Sequence, residues 1–292
     1  IGMMLFTSRP VGDAMATTIW GTSSSWTLTA LPLFVWMGEI LFRTKLSENL
    51  FKGLSPWMQK LPGGLIHVNV VGCALFAAIS GSSAATVATV GKMSIPELRK
   101  RRYPEKILLG SLAGSGTLGL LIPPSIILII YGVTVQESIA KLFIAGIIPG
   151  IMIAIFFMFY VISWSLLNKE SMPKIEKTFS FSQKIKDSSQ LIPVIVLITA
   201  VIGSIYVGIA TATEAASLGV VGALILSYFQ KSLSKETFKL SLLGATKTSC
   251  MIAFILAGAT FLSLAMGFTG LPRNLAIWIQ GMELSPYVLI FV

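Results

Sequence analysis

The sequence contains few charged residues and even fewer acidic ones. Charged side chains occupy 12% of the 292 positions, whereas soluble domains carry roughly 25%. Hydrophobic residues make up 54% of the sequence, and the mean hydropathy is +0.83. This composition excludes a soluble globular domain and predicts an all-α polytopic membrane protein that crosses the bilayer several times.

Cysteine and histidine are almost absent. Cys73 and Cys250 both lie in apolar runs, and His67 is the single histidine. These residues provide neither a disulfide framework nor the spacing of a metal site. The sequence also lacks the GxxxxGK[ST] loop of P-loop ATPases, and no His or Asp accompanies its serine-rich segment as a nucleophilic site requires. We therefore predict that the protein is not an enzyme and carries no cofactor.

The net charge of +10 does not indicate nucleic-acid binding. The basic residues lie in short loops between apolar runs rather than on one basic face, and this distribution reflects membrane topology. Apolar windows of about 19 residues mark the crossings. The predicted spans are Trp20 to Leu41, Ile107 to Val133, Leu142 to Leu167, Gln190 to Ala210, Ala212 to Gln230 and Ala245 to Phe268.

The apolar run from Gly63 to Met93 is predicted to form a re-entrant helical hairpin. As one helix it would be about 46 Å long, whereas the hydrocarbon core is roughly 30 Å thick. Lys60 precedes the run and Arg99 to Arg102 follow it, so both flanks are expected on the cytoplasmic side. The tip would lie near Ser80 to Ala84. With this topology, the only cations outside the cytoplasmic flanks are Arg9, Lys141 and Arg273.

Two stretches place polar residues and helix breakers inside apolar sequence. Ile79 to Gly91 reads ISGSSAATVATVG, and Gly114 to Ser125 reads GSGTLGLLIPPS. Broken helix at membrane depth persists only where it is buried in protein or lines a cavity, because every backbone polar group needs a partner. Pro123 and Pro124 lack N–H groups, so carbonyls about four residues earlier lose their partners. These stretches predict a hairpin tip and a discontinuous helix that bind something polar.

Interrupted helices supply free carbonyl oxygens for a cation, and half-helix N-termini favour anions. We therefore predict a cation site beside a surface that suits an anion. The structural alternative is that small residues allow close helix packing and that the prolines merely kink a helix. The predicted cation-site residues are Ser80, Gly81, Ser82, Ser83, Gly116 and Thr117, and the residues predicted to face the anion are Pro123, Pro124 and Ser125.

Two short segments of the sequence are similar to each other, which indicates an inverted repeat. Thr44 to Leu50 reads TKLSENL and Thr269 to Leu275 reads TGLPRNL, with four of seven positions identical at an offset of 225. An odd number of crossings separates the copies, which places them on opposite faces, as inverted-topology repeats require. Little sequence follows the second copy, and the chain begins inside apolar sequence without a methionine. We expect a fragment that lacks its first span and its second hairpin.

Two acids within apolar segments have structural explanations. Glu39 lies four residues before Arg43, a spacing that predicts an ion pair along one helix. Glu214 follows Thr211 and Thr213 at the start of a predicted helix, where hydroxyl caps and early acids are favoured. The polar stretch from Asn168 to Ser189 is expected to join the two repeats on the inner face as an amphipathic helix or a flexible loop.

Five motifs follow one another along the chain. They are PLFVWMGE at Pro32 to Glu39, SGSSAATVATVG at Ser80 to Gly91, GTLGLLIPPS at Gly116 to Ser125, KLFIAGIIPG at Lys141 to Gly150 and TATEAA at Thr211 to Ala216. Together they resemble the large membrane permease subunit of tripartite ATP-independent periplasmic (TRAP) transporters, and the resemblance covers essentially all residues in order. The sequence departs from the family in Ala212, where proline is frequent, and in the absence of a C-terminal hairpin.

The resemblance implies a sodium-coupled importer of small organic anions such as C4-dicarboxylates or sialic acid. It implies that the cation of the predicted site is sodium, the coupling ion, and that Pro123, Pro124 and Ser125 face the substrate. Its implied partners are a periplasmic substrate-binding protein and a small four-helix membrane subunit, within the bilayer of the bacterial inner membrane and without nucleic acid. A binding-protein-independent carboxylate symporter of related architecture is the alternative.

The implied architecture is an elevator-type transporter, in which a transport domain moves against a scaffold. The divisions are 1–61, a scaffold span and inner arm helix; 62–168, the transport domain of the first repeat; 169–189, the cytoplasmic linker; 190–283, the scaffold spans and outer arm helix of the second repeat; and 284–292, the start of a truncated second hairpin.

Overall fold

The computed structural model describes residues 3–4, 10–44, 46–173, 180–285 and 288, which form helices and connecting turns. The chain divides into two compact units, one of residues 1–25 and 250–292 and one of residues 26–249. The helices are α1 (Val11–Ser23), α2 (Ala30–Phe42), α3 (Leu46–Met58), α4 (Ile66–Ser80), α5 (Ser83–Lys100), α6 (Glu105–Gly116), α7 (Ile126–Val135), α8 (Ile139–Leu167), α9 (Phe181–Ser188), α10 (Ile192–Tyr206), α11 (Ala212–Phe229), α12 (Lys235–Thr269) and α13 (Leu271–Gln280).

The length and composition of the helices confirm a polytopic membrane protein. Within the described residues, four helical runs are long and apolar enough to cross a bilayer, and a broken pair formed by Val11–Ser23 and Trp26–Phe42 would be a fifth. The four runs are Ile139–Leu167, Phe181–Tyr206, Ala212–Phe229 and Lys235–Thr269. Each is hydrophobic over at least 18 residues, close to the roughly 20 residues that a membrane crossing needs.

The predicted span from Trp20 to Leu41 is interrupted, and it lies within the bent helix pair that is long and apolar enough to cross. Helix α1 ends at Ser23, and a short 3₁₀ turn at Trp26–Thr29 precedes α2. Three consecutive serines, residues 23 to 25, occupy the interruption. Serine side chains compete with the backbone for hydrogen bonds and so weaken a helix interior.

The run from Gly63 to Met93 folds as a helical hairpin. Helix α4 ends at Ser80, and α5 begins at Ser83 after a left-handed Gly81. The two helices lie side by side, because a methyl group on Gly72 would be 3.6 Å from Val90 Cγ1. Gly72 and Val90 are equally far from Gly81 in sequence, so α5 returns along α4.

The linker and the predicted inner arm pack together. Helix α3 is amphipathic, with Leu50 and Leu54 buried and Lys52 exposed. The part of the linker that the structure describes contains α9, so its helical alternative is confirmed there, whereas Lys174 and Lys177 lie outside the described residues. Two hydrogen bonds join the end of α9 to α3, because Trp57 Nε1 donates to Ser188 Oγ at 2.7 Å and Ser188 Oγ donates to the Gly53 carbonyl at 3.2 Å. The Trp57 ring also contacts α9 itself: Lys184 Nζ lies 5.2 Å from the ring centre, and Phe181 packs edge-on against the ring.

Helix α2 packs against α11 and α4 within the larger unit. Small residues of α11 face it, and a methyl group on Gly219 would lie 2.5 Å from Met37 Sδ. Such small residues let apolar helices approach closely where water-driven burial is absent. On another face, Trp36 Nε1 donates to Ser241 Oγ at 3.3 Å, and Glu39 pairs with Arg43 at 3.0 Å as the sequence predicts.

Candidate functional site

The hairpin tip is a tight turn that depends on one glycine. Gly81 has φ +60 and ψ 7, a left-handed conformation that ends α4 and that residues with a Cβ adopt at a cost. Ser82 is extended and caps α5, because its Oγ accepts from the Ala85 N–H at 3.4 Å. The predicted tip residues Ser80, Gly81, Ser82 and Ser83 therefore lie at the turn between the helices.

The hydroxyl groups of the tip have different environments. Ser80 Oγ lies 3.0 Å from Thr86 Oγ1 and donates to the Ser82 carbonyl at 3.3 Å. Thr86 Oγ1 also donates to that carbonyl at 2.8 Å. Ser83 Oγ is buried, and within the described part of the chain it has no hydrogen-bond partner. Ser80 and Thr86 thus hold the turn, whereas Ser83 carries a buried oxygen that a ligand would satisfy.

The second interruption separates α6 from α7. Helix α6 ends at Gly116, a 3₁₀ turn covers Thr117–Leu120, and α7 starts at Ile126. Pro123, Pro124 and Ser125 are buried, and Ser125 Oγ donates to the Leu120 carbonyl at 2.6 Å. The predicted discontinuous helix is therefore present, and a side chain replaces one backbone donor that the prolines cannot supply.

Thr117 is exposed, whereas the other predicted site residues are buried or half-buried. The Thr117 Oγ1 donates to the Gly114 carbonyl at 2.6 Å. Gly116 is buried at the preceding position, where a methyl group would overlap Val87 of α5. The end of α6 thus packs against the hairpin through Gly116, and the Thr117 hydroxyl points back along its own helix.

The hairpin tip and the helix break are in direct contact. The N–H of Ile126 donates to the Gly81 carbonyl at 3.2 Å, and a methyl group on Gly81 would lie 2.6 Å from the Pro124 carbonyl oxygen. On the other side of the break, a methyl group on Gly119 would lie 2.9 Å from the Ser83 nitrogen. Residues about 35 to 45 positions apart in sequence are therefore in contact.

The ends of four helices converge at this contact. Helices α4 and α6 end near this contact, and α5 and α7 begin there. Helix C-termini favour cations and N-termini favour anions through the helix dipole. Among the described residues, no three His, Cys, Asp or Glu side chains gather as a metal site. The groups at the contact are carbonyls, hydroxyls and amides, which suit an alkali cation and an anion.

Neighbouring helices support the broken segment through two more glycines. A methyl group on Gly146 of α8 would lie 2.6 Å from the Leu121 carbonyl oxygen, and one on Gly150 would lie 2.8 Å from Ile122 Cγ1. From α2, a methyl group on Gly38 would lie 2.9 Å from Ser80 Cα. Protein therefore packs closely against part of the unwound backbone, which favours its survival at membrane depth.

Sequence reasoning missed a second set of polar residues below the tip. Thr86 and Asn69 are fully buried. Asn69 Nδ2 donates to the Leu108 carbonyl at 3.2 Å and to Ser111 Oγ at 3.0 Å. The signal was an asparagine in an otherwise apolar helix, where a polar side chain requires a nearby partner. Sequence reasoning about Glu214 was right, because its carboxylate accepts from the Thr211 N–H at 2.8 Å and completes a capping box.

Comparison with known proteins identifies the family. The model of the tripartite ATP-independent periplasmic transporter, DctM component, matches residues 1–292. The C4-dicarboxylate TRAP transporter large permease protein DctM of Rhodobacter capsulatus is 32% identical over 304 residues, covering 99% of this chain and 68% of that protein. Its counterpart in Pseudomonas aeruginosa is 30% identical over 291 residues, covering 99% of this chain and 67% of that protein.

A relative named for another substrate is similarly close. The sialic acid TRAP transporter large permease protein SiaM of Vibrio cholerae is 31% identical over 278 residues, covering 93% of this chain and 63% of that protein. The family and the apolar helices agree on an integral membrane protein of the transport class, consistent with a multi-pass protein of the inner membrane. The chain belongs to the DctM component family of the tripartite ATP-independent periplasmic transporters, the family of TRAP large permeases.

Proposed function

We propose that the protein is the large permease subunit of a sodium-coupled TRAP transporter that imports small organic anions. The observation that carries the proposal is the hydrogen bond from the Ile126 N–H to the Gly81 carbonyl at 3.2 Å, which joins the hairpin tip to the helix break. Relatives are named for C4-dicarboxylate, sialic acid, isethionate and ectoine. Most of these names denote small carboxylates or other anions, so we propose a substrate of that class.

The sodium ion would bind between the tip and the end of α6. Its ligands would come from the carbonyls and hydroxyls of Ser80, Gly81, Ser82, Ser83, Gly116 and Thr117. Ser83 supports this assignment because its buried Oγ has no partner among the described residues. Thr117 Oγ1 donates its proton to Gly114, and its lone pairs stay available to a cation.

The substrate would face the start of α7. Pro123, Pro124 and Ser125 precede that helix, whose N-terminus favours a carboxylate through its dipole. Ser125 Oγ bonds to Leu120, so its contribution would be to hold the backbone in place. Attraction between a bound cation and a neighbouring anion lowers the free energy needed to remove both ions from water. This attraction is a physical basis for coupling their transport.

Delivery and movement complete the proposal. A periplasmic substrate-binding protein would supply the anion, and a small four-helix membrane subunit would complete the complex. We further propose an inverted repeat and an elevator motion of residues 62–168 against the scaffold. The second hairpin of that arrangement, predicted from residue 284 onward, falls largely outside the described residues.

Uptake measurements test the sodium site. The full-length permease, reconstituted with its partners, should accumulate substrate under an inward sodium gradient and not under an equal potassium gradient. Ser83→Ala and Thr117→Ala should each raise the half-saturating sodium concentration by about three- to tenfold, as expected for loss of one ligand oxygen. Ser227→Ala is the matched control, because Ser227 is buried in α11 and its hydroxyl donates to the Ala223 carbonyl of the same helix.

Two results would contradict the proposal. Uptake that is equally fast in sodium and potassium would refute sodium coupling. Wild-type sodium dependence in both Ser83→Ala and Thr117→Ala would refute the assigned ligands while leaving the coupling intact. Uptake that proceeds without the binding protein would instead favour the binding-protein-independent symporter.

A further inference from the structure

A buried polar seam joins the first hairpin helix to the first half of the broken helix. Asn69 of α4 is fully buried, and Ser111 and Ser115 of α6 are also buried. Asn69 Nδ2 donates to the Leu108 carbonyl and to Ser111 Oγ, and Ser115 Oγ lies 3.4 Å from the Asn69 carbonyl. These contacts lie between two helices whose remaining buried side chains are largely apolar.

The hydrogen bonds fix the orientation of the Asn69 amide. The Leu108 carbonyl can only accept, so the atom 3.2 Å away must be the amide nitrogen. Asn69 Oδ1 is then left buried, without a partner among the described residues. An unpaired buried oxygen disfavours folding. An apolar side chain of similar volume would therefore serve stability at least as well.

A polar group that contributes little to stability can still select one alignment of two helices. Apolar helix surfaces tolerate sliding, whereas a single buried asparagine specifies register in coiled coils. Asn69 satisfies this description, because its donors meet α6 at Leu108 and Ser111 only in the observed alignment. Sliding by one residue moves a helix by about 1.5 Å, and sliding by one turn moves it by about 5.4 Å.

The seam lies at a distance from the site on both helices. Asn69 precedes Gly81 by twelve positions, and Ser111 precedes Gly119 by eight. Helices α4 and α6 both end at the site, so an axial shift at the seam displaces the tip relative to the break. The contact of Gly119 with Ser82 and Ser83, at 2.9 Å for an added methyl group, leaves no room for such a displacement.

We propose that Asn69 is a positioning residue that sets the register of α4 against α6 and thereby aligns the hairpin tip with the helix break. Asn69 touches neither the tip nor the break, and it acts through the Leu108 and Ser111 bonds. This inference rests on the proposed function only for its sodium readout, because the alignment itself is a property of the two helices.

Two measurements on full-length protein test the proposal. Spin labels at exposed Ala88 of α5 and exposed Leu120, introduced as A88C and L120C in a Cys250→Ser background, report the distance between hairpin and break. Cys73 stays in place because it is fully buried. The second measurement is the sodium concentration that half-saturates the rise in thermal stability of the purified protein, with potassium keeping the ionic strength constant.

Asn69→Leu should shift the mean label distance by about 1.5 to 5.4 Å or broaden it over that range. It should also raise the half-saturating sodium concentration by about three- to tenfold, with the melting temperature without sodium unchanged or higher. Ser111→Ala removes one acceptor and should shift both readouts in the same direction by less. Ser227→Ala, a buried serine of α11, should change neither.

An unchanged label distance in both Asn69→Leu and Ser111→Ala would overturn the proposal. A lower melting temperature with unchanged distance would show that Asn69 is only a stability residue, which also overturns it. A wild-type protein that does not respond to sodium would refute the proposed function, and the label distance would still decide the register.

Discussion

At the scale of single residues, the candidate site depends on positions that have no room for a side chain. Gly81 combines a left-handed backbone with a close approach to Pro124, and Gly119 faces the tip backbone. An added methyl group on either glycine would meet mainly backbone atoms. Backbone atoms cannot move aside as a flexible side chain can. Substituting either glycine therefore changes the site geometry more than it changes the chemistry of the site.

Gly81→Ala should lower thermal stability and abolish most uptake. The left-handed conformation disfavours alanine by about 1 kcal/mol or more, and the added methyl group would lie 2.6 Å from the Pro124 carbonyl oxygen. Gly110→Ala on α6 is the control, because nothing lies within 4 Å of its added methyl group. Melting curves and initial uptake rates give the comparison. Normal uptake by Gly81→Ala would mean that the tip is not part of the site.

Tyr103 contacts the segment that connects α3 to the hairpin helix α4. The Leu65 N–H donates to the Tyr103 hydroxyl at 3.1 Å, and a methyl group on Gly64 would overlap that hydroxyl. Tyr103→Phe leaves a buried N–H unpaired and should destabilise the protein by about 1–3 kcal/mol. A melting temperature equal to that of wild type near neutral pH would contradict this role.

The stability that Tyr103 provides should depend on pH, because Tyr103 is partly buried. Burial raises the pKa of Tyr103 above its usual 10.0, although the Leu65 bond and the Arg101 charge act in the opposite direction. A raised folded-state pKa gives stability that is present below the ordinary value and lost as pH rises through the raised one. Stability should therefore fall as the pH rises above about 10, and the fall should be smaller in Tyr103→Phe.

At the scale of helices, close packing keeps the broken segment in place. Gly146 and Gly150 lie one turn apart on α8 and face Leu121 and Ile122 in the unwound stretch. Because this stretch lacks continuous helical hydrogen bonds, its shape depends on the surface against which it packs. Helix α8 therefore shapes the broken segment through packing.

Gly146→Ala should impair transport more than a matched change elsewhere. The added methyl group would lie 2.6 Å from the Leu121 carbonyl oxygen, so the segment or α8 has to move. Overpacking of this kind typically costs about 1–3 kcal/mol. Gly203→Ala in α10 is the control, because its methyl group would meet nothing within 4 Å. Equal uptake rates and equal melting temperatures in the two variants would exclude a supporting role for α8.

Weakening the contact between α3 and the linker helix α9 should increase hydrogen exchange in α9. Trp57→Phe removes the N–H that Ser188 Oγ accepts at 2.7 Å and weakens the ring that lies near Lys184. We expect faster hydrogen exchange in residues 181–188 and a small loss of stability, about 0.5–1.5 kcal/mol. Lys52→Ala, an exposed position on the same helix, is the control. Unchanged exchange in α9 would show that the linker does not brace the arm.

At the scale of the whole molecule, topology determines where the site lies. The hairpin has basic residues before α4 and after α5, and positive-inside orientation would place both flanks in the cytoplasm. The hairpin geometry agrees with this, because α5 returns along α4. This topology predicts a tip that lies inside the membrane.

Labelling of single cysteines tests this topology. In a Cys250→Ser background, K60C and K100C should react with a membrane-impermeant thiol reagent only from the cytoplasmic side, because both positions are exposed flanks of the hairpin. K141C, at the start of α8, should react only from the periplasmic side. Labelling of K60C and K100C from opposite sides would mean that the run crosses the membrane once.

The sequence could predict the motifs of the site because their chemistry is local. Glycine, serine and proline in apolar surroundings interrupt helices wherever they occur in such density, and both predicted interruptions are present. The cap at Glu214 and the pair of Glu39 with Arg43 also depend only on residues three or four positions apart. The break after Ser23 was missed because a serine run inside an apolar window barely lowers its hydropathy.

By itself the sequence determined the class of protein, its hairpin, its broken helix and its family, since each follows from composition, local hydrogen bonding or motif order. Only the tertiary structure decided that Ile126 bonds to Gly81, that glycines of α2 and α8 enclose the interruptions, and that Asn69 joins α4 to α6. The physical reason is that helix ends, caps and turns are local, whereas the alignment of two apolar helices depends on contacts between distant residues that no local pattern specifies.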